Sequence, residues 1–183
     1  MDSLLDNKTF YLNDYVKIDF EGDKEAVKKL LQGQITSDIE ESGSSFFQPS
    51  AICDAKGFVI ADFLILNAKE MISVIIHNSL AACLKAELVP VLPFYKTSLN
   101  ETKICSLGFI GNKKTVGMPI SFLQTKAGVS LNIDHQEEKN GEHLNYIEWK
   151  LGNYLNGNIF LNDDCTKKYR PHELGYDKSR VSF

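Results

Sequence analysis

Ala51-Ile52-Cys53-Asp54-Ala55-Lys56-Gly57-Phe58-Val59-Ile60-Ala61-Asp62-Phe63-Leu64 places a polar centre between two apolar runs. The centre, Asp-Ala-Lys-Gly, has turn chemistry: Asp54 can accept from backbone two residues on, and Gly57 can adopt positive φ at little cost. With apolar runs on both sides, the stretch reads as the tip of a β-hairpin. Asp62 stands out as a carboxylate among Val59, Ile60, Phe63, Leu64, Ile65 and Leu66. A charge in that company must face solvent, find a partner or hold a ligand.

Working outward, the hairpin continues as strand 58–66, a turn at 67–70 and strand 71–76. Upstream, 46–53 reads as a strand whose Pro49 points to an edge or a bulge. Tyr15 to Phe20 alternates apolar and polar residues, a half-buried strand. Asp23 is placed to cap a helix through Leu31, with Ala26, Val27, Leu30 and Leu31 inward. Leu31-Gln32-Gly33-Gln34-Ile35-Thr36-Ser37-Asp38-Ile39 ends that helix and crowds polar residues into one turn. By local chemistry this is a helix C-terminus with Gly33 as a left-handed cap, and Thr36 or Asp38 satisfying loop backbone.

Downstream, Asn78 or Ser79 is expected to cap a helix carrying Leu80, Cys83, Leu84 and Leu88, closed by Pro90 and Pro93. Strands follow at 95–99 and 103–110, joined through Asn100-Glu101, then a hairpin of 120–123 and 129–133 around Lys126-Ala127-Gly128. The polar run 134–141 reads as an exposed loop. Leu144, Ile147, Leu151 and Tyr154 or Leu155 give a second amphipathic helix, with Trp149 beside it and Gly152 and Gly157 ending it. The tail from Asn158 is mostly polar and locally basic at Lys167, Lys168, Arg170, Lys178 and Arg180, which reads as a solvated segment. Helices separated by antiparallel strands indicate an α+β fold of ferredoxin-like βαββαβ pieces.

The 183 residues are 43% hydrophobic, enough to bury a sizeable core. Lys and Arg total 20 against 24 Asp and Glu, a formal charge of −4 that gives no general attraction to nucleic acid or anionic membrane. No apolar run approaches the ~20 residues of a bilayer span, and the N-terminus lacks a signal-peptide layout, so a cytoplasmic protein is expected. Cys53, Cys83, Cys105 and Cys165 have neither disulfide-framework nor metal-ligand spacing. His77, His135, His143 and His172 share no metal-like spacing and read as surface or cap residues. Cys53, beside the turn, is the thiol placed to line a site.

Taken together, LLQGQITSDIE and, about a dozen residues later, AICDAKGFVIADFLIL resemble the folate-binding YgfZ family, relatives of the glycine-cleavage T-protein (aminomethyltransferase). The resemblance implies a GcvT/YgfZ-like folate-binding fold of two interleaved subdomains, 1–33 with 100–183, and 34–99, with folate in a central cleft. It also implies a third, C-terminal β-barrel, which 183 residues are too short to contain. The family's Lys-Gly-Cys-Tyr-x-Gly-Gln-Glu signature is expected just where the sequence stops at Phe183.

The implied function is a tetrahydrofolate-binding accessory protein for iron–sulfur protein maturation and tRNA modification, with those enzymes as partners and no turnover of its own. The implied folate contacts are Gln34, Thr36, Asp54 and Asp62 for the pterin, and Lys56 and Arg170 for the glutamate tail or an RNA phosphate. Phe46, Phe47, Phe58 and Phe63 would wall the slot. T-proteins carry an Asp-Asp pair where this chain has Ala61-Asp62, and relatives carry a Glu where this chain has Lys150. These departures disfavour aminomethyl transfer, and they leave a protein-interaction module with a degraded pterin site as the alternative.

Overall fold

The computed structural model describes residues 8–12, 14–104, 106–110, 118–119, 129–132, 146–155, 159–178 and 180–182. Two antiparallel sheets organise them. The larger contains β2 (Tyr15–Glu21), β3 (Gln48–Cys53), β4 (Val59–Asn67), β5 (Ile72–His77) and β6 (Ser98–Lys103), in the order β3-β4-β5-β2-β6. The smaller contains β1 (Lys8–Leu12), β7 (Ser106–Ile110), β8 (Met118–Pro119) and β9 (Val129–Asn132), in the order β1-β7-β9-β8. Helices α1 (Lys24–Gln32), α2 (Asn78–Leu88) and the short α3 (Leu92–Tyr95) accompany the larger sheet, while α4 (Tyr146–Leu155) lies against β1 and β7. The result is a mixed α and β fold, and no helix among the described residues is long and apolar enough to cross a membrane.

Register explains which residues form the core. Val16, Ile18 and Phe20 of β2 stand opposite Ile76, Val74 and Ile72 of β5, and Val74 stands opposite Ile65 of β4. Because strand side chains alternate between faces, these residues share one face, against which α1 buries Val27, Leu30 and Leu31. Complete burial of such side chains contributes roughly 1.5–3 kcal/mol each. Asp62 and Leu64 of β4 and Ile75 of β5 therefore point to the opposite face, and that face is buried too.

α1 starts where the sequence places it. The Asp23 carboxylate accepts from the Ala26 backbone N–H at 2.9 Å, satisfying one of the unpaired donors of the first turn. Asp23→Ala should lower unfolding stability by about 1 kcal/mol in a urea titration. Gly33 differs from expectation: it has φ −81°, ordinary right-handed backbone, because the chain goes on to pair Ile35 with Ile52 instead of making a left-handed exit.

Other boundaries also move. His77, rather than Asn78 or Ser79, caps α2: its ring nitrogen accepts from the Ser79 N–H, and burial lowers its pKa in favour of the neutral ring that can accept. α2 ends at Leu88, and Pro93 belongs to the first turn of α3, where its missing N–H costs nothing. Tyr95 is helical, and Asn100-Glu101 is mid-strand rather than a joint, paired with Asp19 and Ile18. β6 is an exposed edge strand, so its polar residues face water and hide its strand character. Gly152 is buried inside α4 and does not end it. The expected hairpin turn at 126–128, the loop at 134–141 and Gly157 lie outside the described residues.

Candidate functional site at Asp62

The hairpin tip forms as its chemistry requires. Gly57 has φ +83°, and the Asp54 carboxylate accepts from the N–H groups of Lys56 and Phe58, both at 2.9 Å. Those bonds lower the Asp54 pKa, the Phe58 N–H first, with burial opposing. Asp54 is therefore occupied in holding the turn. Pro49 lies in β3, an edge strand of the larger sheet, and a bulge falls between Ile52 and Cys53. Cys53 is half-buried and its thiol pKa is raised by burial, which makes it a poor nucleophile.

The outer edge of β3 is covered by the polar turn after α1. Thr36 N–H donates to the Ala51 carbonyl at 2.9 Å, and Ala51 N–H donates to Thr36 Oγ1 at 3.1 Å. Ser37 donates to Ser50 at 2.8 Å, and the Gln48 amide reaches the Asp38 carbonyl at 2.9 Å. Thr36 also turns outward: its hydroxyl donates to the Arg180 carbonyl at 2.6 Å, and its own carbonyl accepts from Ser182 N–H at 3.1 Å. The segment around 180–182 is thus stitched to the polar turn, which is in turn stitched to β3.

Asp62 is 3% exposed, so of the three outcomes open to a carboxylate in this strand, exposure to solvent does not hold: the residue is buried and paired. One oxygen accepts from Arg180 Nη2 at 3.2 Å and the other from Leu161 N–H at 3.1 Å. Arg180 is fully buried, its guanidinium 4.4 Å from the Tyr176 ring centroid and 5.3 Å from that of Phe160. Phe160 meets Tyr15 edge-on at 6.5 Å, and Tyr15 meets His77 edge-on at 5.6 Å. The Tyr176 hydroxyl donates to the Ile159 carbonyl at 3.0 Å and feels the Asp62 charge. Burial pushes Asp62 up from its ordinary pKa, opposed by the Arg180 guanidinium and the Leu161 N–H.

Tyr176 makes a testable titration. Burial first, then the Asp62 charge, raises its pKa well above the ordinary value of 10.0. A pKa raised on folding contributes stability that is intact below about pH 10 and lost as pH climbs through the folded value. Tyrosinate absorbance should therefore show one tyrosine that ionises only as the protein unfolds, and Tyr176→Phe should remove that step.

The site is thus built differently from the expected one. Thr36 and Asp62, from the two separate stretches, do converge, but through Arg180: its carbonyl meets Thr36 and its guanidinium meets Asp62. Gln34 stays half-buried at the end of α1, its backbone N–H on the Leu31 carbonyl, while Gln32 supplies the engaged amide, accepting from Ile39 N–H. Phe63 follows Asp62 directly in β4, so it faces the α1 side and cannot wall the same slot; Phe47 is fully buried. The aromatic walls are Phe160 and Tyr176, from the tail. That tail is not a free solvated segment: Lys167 N–H donates to the Val59 carbonyl, and Val59 N–H to that of Tyr169.

Lys56 and Arg170 sit at the hairpin tip, exposed, with the Arg170 guanidinium 5.3 Å from the Phe58 ring centroid. Ala61 is fully buried in the apolar core, which explains why no second carboxylate stands there. Lys150 is half-buried in α4 and its charge reaches His77. Among the described residues no cluster of three His, Cys, Asp or Glu could hold a metal ion.

The fold is similar to that of a glycine cleavage system aminomethyltransferase T from Bartonella henselae, with a TM-score of 0.50. The match spans 56% of this chain and 28% of that one, at 15% sequence identity, and it concerns the fold alone. The matched part therefore corresponds to well under half of that protein's length. No family model matches the sequence, and no curated protein matches it.

Proposed function

We propose that the chain is a tetrahydrofolate-binding protein on an aminomethyltransferase-like scaffold, acting in the cytoplasm as a YgfZ-like accessory factor for iron–sulfur protein maturation and tRNA modification. The observation that carries the folate part is the buried Asp62 carboxylate beside the aromatic rings of Tyr176 and Phe160, with Thr36 bonded to the backbone of the same Arg180 whose guanidinium pairs with Asp62. A carboxylate between flat apolar walls suits a heterocycle bearing N–H donors on one edge. The fold likeness to an aminomethyltransferase supports the scaffold. The β4-β5-β2-β6 order with α1 and α2 as crossovers supports reading the larger sheet as a ferredoxin-like unit with β3 added at its edge. Lys56 and Arg170, exposed on one rim of the hairpin, suit the carboxylates of a glutamate tail.

One observation favours a second reading. Asp62 already has a cationic partner, so a scaffold retained for protein interaction, with its pterin site closed, also fits. Titration calorimetry with tetrahydrofolate separates the two. Saturable heat, weakened at least tenfold by Asp62→Asn, supports the folate reading. No heat and no thermal shift at millimolar ligand leaves the interaction module. With Ala61 in place of an acidic residue, methylene-tetrahydrofolate production from an aminomethyl-lipoyl carrier is expected to be absent.

A further inference from the structure

We infer that Asp62, Phe160 and Tyr176 form a recognition site for planar guanidine-type groups, occupied in cis by Arg180, which an incoming ligand with the same grouping must displace. The geometry is that of a binding site: a carboxylate at one end and two aromatic rings, 4.4 and 5.3 Å from a flat N–H-rich group. The backbone of the occupant is secured independently of its side chain. The Arg180 carbonyl accepts from Thr36, its N–H donates to the Tyr176 carbonyl at 2.7 Å, and Ser182 bonds both Thr36 and Asp38. The side chain can therefore leave the slot while the segment remains docked.

A buried ion pair is a weak device for stability, because desolvation of both charges offsets most of their attraction. A pair that can be exchanged for a ligand gives that arrangement a use. The pyrimidinone ring of a pterin carries an amino group and ring N–H in the same relative positions as the two N–H faces of a guanidinium. For the identity of the ligand the inference rests on the folate reading; the guanidine site itself does not. Arg180, tethered beside the carboxylate, acts at high effective concentration, so it must weaken any ligand that competes for Asp62.

The test compares wild type with Arg180→Ala, using methylguanidinium as probe and ethylammonium as a control of equal charge without the flat fork. Methylguanidinium should raise the melting temperature of Arg180→Ala saturably, ethylammonium should not, and adding Asp62→Asn should abolish the effect. Wild type should be unresponsive at the same concentrations. Should Arg180→Ala fail to fold, Arg180→Gln takes its place, and recovery of folded protein by methylguanidinium supports the site. Absence of any response in both variants overturns it.

Tetrahydrofolate should then bind Arg180→Ala at least tenfold more tightly than wild type. Equal affinities would overturn the displacement while leaving the folate reading standing. A methylguanidinium response without any folate binding would keep the site and remove the folate reading.

Discussion

Arg180→Ala is expected to lower unfolding stability by about 3–5 kcal/mol in a urea titration, because it leaves a buried carboxylate without its cation. Asp62 is 3% exposed, and its other oxygen is held by the Leu161 N–H. Losing the guanidinium removes a charge-assisted bond and two ring contacts at once. With the partner gone, burial should drive the Asp62 pKa further up, so the variant should recover part of its stability at acid pH. The double replacement Asp62→Leu with Arg180→Met should behave quite differently. Removing both charges together removes both desolvation costs, and stability should return to within about 1–2 kcal/mol of wild type. A loss as large as that of the single variant would mean that Arg180 matters by its shape rather than its charge.

Thr36→Val should cost about 2 kcal/mol, while Thr36→Ser should cost much less. The hydroxyl is at once donor to the Arg180 carbonyl and acceptor from the Ala51 N–H, so valine leaves two partners unmatched without changing volume. Ala51 is fully buried, which makes its N–H expensive to strand. The consequence should be local as well as global. Amide exchange should accelerate at Ala51 and Ser182, whose N–H groups bond Thr36, and stay slow in the β2–β5 pairing. Uniform acceleration would mean that the 180–182 segment unfolds only with the whole molecule.

These expectations show where the sequence was informative. The hairpin was legible because Asp54 and Gly57 act locally: one accepts backbone N–H groups and the other takes φ +83°. α1 was legible for the same reason, with a cap and an apolar stripe inside nine residues. Asp62 announced itself as a charge in an apolar strand, and the requirement for a partner or ligand followed from electrostatics. The partner did not. Arg180 lies 118 positions away in a polar tail, where nothing local distinguishes it from the exposed Lys178. The same holds for Phe160 and Tyr176, whose tail was read as solvated because its composition is polar. Its hydrogen bonds to Val59, Thr36 and Asp38 are long-range, and no periodicity reports them.

Phe63 shows the opposite failure. It is one of the four phenylalanines expected to wall the slot, yet alternation in a strand sends Phe63 to the face opposite its neighbour Asp62. That correction was available from the strand assignment alone. β6 is expected as a joint at Asn100-Glu101 between two strands, because an edge strand with polar, outward residues carries no apolar alternation.

Asp62 and Arg180 act as one buried unit joining the hairpin to the polar turn. A double-mutant cycle with Asp62→Ala, Arg180→Ala and the pair measures this directly by denaturant unfolding. A coupling of about 2 kcal/mol or more is expected, the double variant losing far less than the sum of the singles. Additivity within about 0.5 kcal/mol would contradict it.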